Sequence, residues 1–428
     1  MGYETVEWVG GDDGVEITRV AGLDLGKAEV TCCVGWPDPD HPGRQVQDVS
    51  TWSTMTGSLT GLANQLISQG VELVAMEATS DYWKPVFHRL EAHGLNVIVV
   101  NAKHFKHLPG RPKTDKLDSQ WLCRLATKGL LRPSFIPPVD IRVLRDLTRD
   151  RADLVDQRTA NKNRVEKLLE DACIKLSVVA TDIFGVSGRL MMDALIEGQR
   201  NPFVLADMAQ GRLRVKKTAL VEALTGMFTD HHGFRLRMLL ERIDALSADI
   251  TILDTRITEM LVPYARQCEQ LAGIPGVGQT NAAAILAEIG VDMSRFASAG
   301  HLTSWAKYAP GVNESAGKSK GSGATGKGNR YLARALGQSA TAARRTKTFL
   351  GDRYRRLSRR IGAKKAQTAI GRSILVGVWH LLQNPNTEWV DLGPDHHTRN
   401  HNPQRAKQVH LKALEALGYT VTLAPHPA

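Results

Sequence analysis

The chain has 428 residues, too many for one small core and enough for two or three domains. It carries 55 Lys and Arg against 44 Asp and Glu, a formal net charge of +11, which points to a polyanionic partner, most often nucleic acid, with a membrane surface the weaker reading. The acidic start has no apolar signal core, the longest apolar run (373–382) is about half of a bilayer span, and the 5 cysteines show no C-x-x-C spacing, so a cytosolic chain with neither disulfide framework nor zinc site is expected.

Residues 1–16 read as a polar, disordered leader, and Cys32, Cys33, Cys123, Cys173 and Cys268 as small core residues. Two strands are expected from Ile17 to Asp24 and from Ala28 to Gly35, joined by a Gly26-Lys27 turn, with a third around 45–51. A helix over 59–69 closed by Gly70, a strand over 71–76, a helix over 82–92 closed by Gly94 and a strand over 96–101 follow. A hairpin followed by alternating helices and strands is α/β organisation, assigned to residues 17–138. Ligands of such sheets gather at C-terminal strand ends, where Asp24 and Glu77 fall. Whether the two are neighbours depends on strand order, which periodicity does not contain. Asp115 and Asp118 stand three apart at the start of a helix expected over 115–127 and project from one face.

Each acid alone has an ordinary explanation, because acids complement the dipole of a helix start and solvated acids are common at strand ends. Together, in a cationic chain, they suggest a cation among them. Four carboxylates suit Mg²⁺, or Mn²⁺, in a two-metal phosphoryl-transfer site, where waters and phosphate oxygens complete the shell.

Gly22-Leu-Asp-Leu-Gly-Lys27, Met76-Glu-Ala-Thr79 and Lys113-Thr-Asp-Lys-Leu-Asp118 resemble the blocks of the DEDD insertion-sequence transposases. The resemblance implies a RuvC-like domain of RNase H type, with Asp24, Glu77, Asp115 and Asp118 as the catalytic, metal-holding acids.

From about 139 to 176 the chain turns helical and heavily charged, with Leu144, Leu147, Leu154, Val165 and Leu168 interrupted by Arg151, Arg158 and Asn161. Leu236, Leu239, Ile243, Leu246, Ile250, Leu253, Ile257, Met260 and Tyr264 alternate steps of three and four, a coiled-coil seam open to an intramolecular hairpin or a dimer contact. This helical connector is assigned to 139–270, with an insert near 178–233 that shows no firm period. Residues 271–278 place Ile-Pro-Gly-Val-Gly between two helices, the turn of a helix-hairpin-helix unit. There Gly276 and Gly278 let backbone N–H groups approach a phosphate, unless the turn is only a tight connector.

The run 310–330 is rich in Gly, Ser and Lys. It fails as a P-loop, because Gly311 to Gly317-Lys318 is one residue too long and Gly321 to Gly326-Lys327 ends in Gly328. Ser315-Ala-Gly-Lys318 and Lys327-Gly-Asn-Arg-Tyr-Leu-Ala-Arg334 instead resemble the serine domain of the same transposases, which implies Ser315 as nucleophile. Glu314 and Ala316 depart from the family pattern, and Ser319 and Ser322 lie close by as alternatives. Chemically, a serine needs a base or metal to activate it and cations to stabilise the developing charge; Lys318, Lys320 and Lys327 are at hand, with Arg330 beyond. Without the resemblance, a solvated serine in a basic loop is the plainer reading. Arg355, Arg356, Arg359 and Arg360 belong to a basic helical stretch that reads as a phosphate-tracking surface, within a mainly α C-terminal domain over 271–385. Residues 386–428 read as a polar linker and tail.

The whole is similar to an RNA-guided transposase. That resemblance implies covalent serine–DNA chemistry at a Mg²⁺ site, donor and target DNA, an element-encoded guide RNA, a homo-oligomer (dimer or tetramer) and a place in the bacterial cytoplasm at the nucleoid. The absence of a base-reading motif is consistent with sequence reading delegated to base pairing. Two alternatives are a RuvC-like metal nuclease of junction-resolvase type that uses water, and a non-catalytic nucleic-acid-binding protein.

Overall fold

Alternating apolar residues in the first hundred positions build a five-stranded mixed sheet. The computed structural model describes residues 18–41, 45–101, 114–311, 314–315, 318–319, 325–399 and 403–423, and the chain divides into two units, Met1–Ile136 and Pro137–Ala428. In the first unit β1 (Val20–Leu25), β2 (Glu29–Pro37), β3 (Gln45–Ser53), β4 (Leu73–Glu77) and β5 (Val97–Val100) lie in the order β3-β2-β1-β4-β5. β1, β2 and β3 form an antiparallel meander, whereas β4 runs parallel to both β1 and β5. Helices α1 (Thr56–Ser68) and α2 (Trp83–Ala92) cover one face and α3 (Asp115–Thr127) the other.

The period of two decides which residue faces which helix. Ala21, Leu23 and Leu25 of β1, with Val74 and Met76 of β4, join the α1/α2 core, while Val20, Leu73 and Ala75 join the α3 core. The expected strands and helices all form. Helix α1 starts earlier than expected, because the residue before it, Met55, provides no side-chain cap to mark the boundary.

The second unit is almost wholly helical. It contains α4 (Val139–Asp171), α5 (Leu176–Val179), α6 (Val186–Ile196), α7 (Pro202–Asp207), α8 (Lys217–Ala223), α9 (Asp230–Met260), α10 (Ala265–Ala272), α11 (Gln279–Ile289) and α12 (Ala299–Trp305). A minimal hairpin of β6 (Glu314–Ser315) and β7 (Lys318–Ser319) follows, then α13 (Arg330–Ala343), α14 (Phe349–Ile361), α15 (Ala363–Gln383), α16 (His396–Arg399) and α17 (Pro403–Ala416).

Helices α4 and α9 form an antiparallel hairpin within the chain, which uses the heptad seam. Tyr264 bonds Asp140 at one end, Arg151 Nη2 donates to Asp254 Oδ2 at 3.1 Å, Arg158 Nη1 donates to Ser247 Oγ at 3.3 Å, and His232 meets Asp171 at the other end. The polar interruptions of the seam are thus bonded across it or locally, as Asn161 is to Gln157 O at 2.9 Å. The insert folds as α5 to α8, burying Met191, Met192, Leu195, Leu205 and Leu220 against Leu168 and Leu236. Its helices are too short to show a readable period.

The cysteines are unpaired, and four are buried, but Cys173 is exposed at φ 58° in the turn that ends α4. The expectation of five core cysteines fails there. A tight turn, rather than packing, sets that position.

Candidate functional site

The sheet order answers the question periodicity leaves open. β1 and β4 are parallel neighbours and Leu23 pairs with Met76, so Asp24 and Glu77, the next residue on each strand, stand level. Leu23 and Met76 face the α1/α2 core, so the alternation turns Asp24 and Glu77 to the face beneath α3. Glu77 is 8% exposed and Asp24 half-buried, which keeps both at the mouth of the sheet.

Helix α3 completes the arrangement because Gly22 has no side chain. A Cβ on Gly22 would lie 2.4 Å from Ser119 O and 2.5 Å from Cys123 N, so only glycine admits α3 at this depth. Cys123 Sγ also reaches Val20 O at 3.6 Å. As α3 passes from Ser119 to Cys123 it therefore runs back along β1 from Gly22 toward Val20, antiparallel to the strand. Its first turn points toward Asp24. That turn is capped by Thr114, whose hydroxyl accepts from Leu117 N at 3.3 Å, and it carries Asp115 and Asp118. Asp115 is exposed, and Asp118 is half-buried with its Oδ1 closed off from solvent.

Asp24, Glu77 and the acid-bearing turn of α3 thus share one end of one face. Among the described residues no group of three His, Cys, Asp and Glu side chains is arranged to hold a metal ion. The acids are gathered on the face without forming a closed cage. The donor set is nevertheless chemically selective. Carboxylate oxygens fit hard divalent cations. On the same face Cys33 lies deeper in the sheet, and contact with Cys123 together with burial pushes its thiol far up, which removes the thiolate a soft metal needs.

In the second unit the motif residues serve packing first. Gly276 has φ 91°, and a Cβ there would lie 2.4 Å from Ser339 O and 2.6 Å from Ala343 N, so it seats the α10–α11 turn on α13. Gly278 opens α11 with nothing within 4 Å of a Cβ, and is the glycine of the pair with open space before it. Gly328 approaches Ala306 O, where a Cβ would lie at 2.6 Å. Asn329 accepts from Tyr331 N and Leu332 N to cap α13 and donates to Glu288. Arg330 pairs with Asp153 and Tyr331, and Arg355 Nη1 donates to Thr346 O at 3.1 Å. Arg356 meets His397 Nε2 at 2.7 Å; Arg359, Arg360 and Lys327 are exposed. Ser315 pairs through its backbone with Lys318, and Lys320 lies outside the described residues.

Glu288 is the residue sequence reading passed over. It is 1% exposed at the end of α11, and Arg149 of α4 grips it with Nε and Nη2 at 2.7 and 2.8 Å. Arg145 donates to Ala287 O at 3.0 Å and Glu288 O at 2.8 Å, and burial pushes it down to about 10. Burial opposes the charge of Arg149 too, but the hydrogen bond and charge of Glu288 outweigh it and raise its pKa. The signal was present: a single acid in the apolar run 282–289 needs a buried cation.

The stretches similar to known proteins cover the sheet unit with α4 and, separately, part of the helical unit. A family model for DEDD transposases of the IS110 type matches residues 21–174, and a second, described as Transposase IS116/IS110/IS902 family, matches 268–355. Neither match alone covers half of the chain, and over these two stretches the chain is similar to insertion-sequence transposases. An uncharacterised insertion element IS116 protein of Streptomyces clavuligerus is 29% identical over 52% of this chain and 59% of its own length. The chain thus spans less than two thirds of that relative. The transposase for insertion sequence element IS1111A of Coxiella burnetii is 24% identical over 74% of this chain and 79% of its own. Two Thermus thermophilus RuvC structures, one with a Holliday junction substrate, align with 27% of this chain and 99% of theirs, at 15% and 14% identity and TM-scores of 0.22 and 0.21. Among the described residues no helix is long and apolar enough to cross a membrane.

Proposed function

We propose that the chain is a DNA transposase-recombinase that cuts and rejoins DNA with a carboxylate face for Mg²⁺ and a serine nucleophile. The level pairing of Asp24 and Glu77 on parallel neighbouring strands, beneath the first turn of α3, carries this assignment. Asp24, Glu77, Asp115 and Asp118 would hold Mg²⁺, or Mn²⁺, which when bound neutralises charge on the scissile phosphate. Asp24 and Glu77 are fixed by the sheet, and α3 brings Asp115 and Asp118 to the same end.

Ser315 Oγ forms a bond to phosphorus as the bond to the sugar oxygen breaks. The serine gives up its proton, and the departing sugar oxygen gains one. One strand end becomes a phosphoserine ester and the other a free hydroxyl. Lys318, Lys320 and Lys327 supply cations around the developing charge. Ser315 comes from a second copy of the chain in a homo-oligomer, and a structured RNA of the element pairs with donor and target DNA.

Strand cleavage of element-end DNA with that RNA and Mg²⁺ tests the acids. Asp24→Asn or Glu77→Gln lowers the rate by about three orders of magnitude, on the scale of losing an electrostatic stabiliser, without changing the folded spectrum. An unchanged rate in both variants would remove the carboxylate face from the chemistry.

A further inference from the structure

After α15 the chain turns back over the second unit. Gln270 Nε2 donates to Pro385 O at 2.8 Å and to Thr387 O at 2.7 Å. Trp389 covers Gly377 so closely that a Cβ there would lie 2.6 Å from its ring. Asp391 Oδ1 accepts from Phe349 N, at the start of α14, at 3.1 Å. These anchors carry the segment onto the arginine-rich helix. His397 stacks on Phe349 with centroids 5.2 Å apart and planes at 29°, and its Nε2 lies 2.7 Å from Nη2 of Arg356. A guanidinium only donates, so Nε2 accepts and His397 is neutral in this state.

Arg353 sits one turn before Arg356 on the same face of α14. Its Nε is buried and has no acceptor among the described residues. Helix α14 packs along α15, which carries Arg372, and burial, then the charges of Arg356 and Arg372, pull the pKa of Arg353 down. The fitting partner for such a cluster is an anion with several acceptor oxygens, which a phosphate offers and an imidazole does not.

We propose that Arg353, Arg356 and Arg372 form a binding site for a phosphodiester group of nucleic acid, and that His397 caps Arg356 there in the free chain. The site rests on the reading of the chain as a nucleic-acid enzyme. The cap is a neutral acceptor occupying one donor of the site, and a phosphate displaces it. Burial, then Arg356 and Arg353, and more weakly His396, hold His397 below its ordinary 6.5, against Asp352, which raises it. The released ring therefore takes up a proton more readily than the capped one. The cap is at full strength above 6.5 and weakens as pH falls below it.

Anisotropy of the full chain with a random-sequence DNA duplex, and with an RNA stem–loop of equal charge, tests this above and below the ordinary histidine range. Loss of the cap in His397→Ala tightens binding about five-fold above that range, the worth of one hydrogen bond, and removes the extra gain of the wild type on acidification. His397→Gln keeps an acceptor and loses the pH response. Arg356→Gln and Arg353→Gln weaken binding, and a gain confined to one probe names the nucleic acid that supplies the phosphate. His397→Ala that matches the wild type in affinity and pH profile overturns the cap, and arginine variants that bind as the wild type overturn the site. Failure of every form to bind either probe overturns the site and the proposed nucleic-acid function together.

Discussion

The two units treat their sequence motifs in opposite ways. In the first, residues far apart in the chain, Asp24, Glu77 and the Asp115–Asp118 turn, come to one end of one sheet face, and the glycine among them, Gly22, exists to let α3 lie over β1. In the second, the conspicuous residues turn inward: Gly276 seats a turn on α13, Gly328 packs on Ala306, and Asn329 ties α13 to Glu288. The motif glycine therefore brings acids together in one unit, whereas the motif glycines and asparagine build packing in the other.

That contrast breaks most readily at Glu288. Removing one partner of a buried ion pair strands the other, so Glu288→Ala costs about 3–5 kcal/mol, seen as a lower denaturation midpoint of the helical unit with the sheet unit unaffected. A midpoint within error of the wild type would make the Arg149–Glu288 grip incidental.

The two close-approach glycines sharpen the comparison. Gly22→Ala and Gly276→Ala each force a Cβ into backbone 2.4 Å away, and overpacking of this kind costs about 1–3 kcal/mol, more at Gly276, whose φ of 91° disfavours any side chain. Gly276→Ala loses the more stability. Gly22→Ala loses the more cleavage for its stability change, because it shifts the helix that carries Asp118. Equal activity at equal residual stability would contradict the division between the units.

Much of the first unit was legible beforehand. Apolar alternation and glycine stops located its strands and helices, and Asp115–Thr127 was readable from its first-turn acids and apolar spacing. Strand order was not, because nothing local in residues 17–28 or 71–77 encodes that β1 and β4 pair. The seam of α9 was readable, but its partner was not: the cross-hairpin bonds, Arg151 to Asp254 and Arg158 to Ser247 among them, make an internal hairpin of it. The short helices of the insert and the fold-back of residues 385–397 depend on tertiary contacts with no sequence period.

The smallest effect is the five-fold change expected at His397, which separates a site in use from one held in reserve. The central claim, joint use of the acid face and Ser315, is tested most directly by trapping a covalent protein–DNA adduct in Mg²⁺ with RNA transcribed from the element, comparing wild type, Ser315→Ala and Asp24→Ala. The account predicts an adduct in the wild type and in neither variant. DNA cut without an adduct, at a rate unaffected by Ser315→Ala, would contradict it and identify a metal nuclease that uses water.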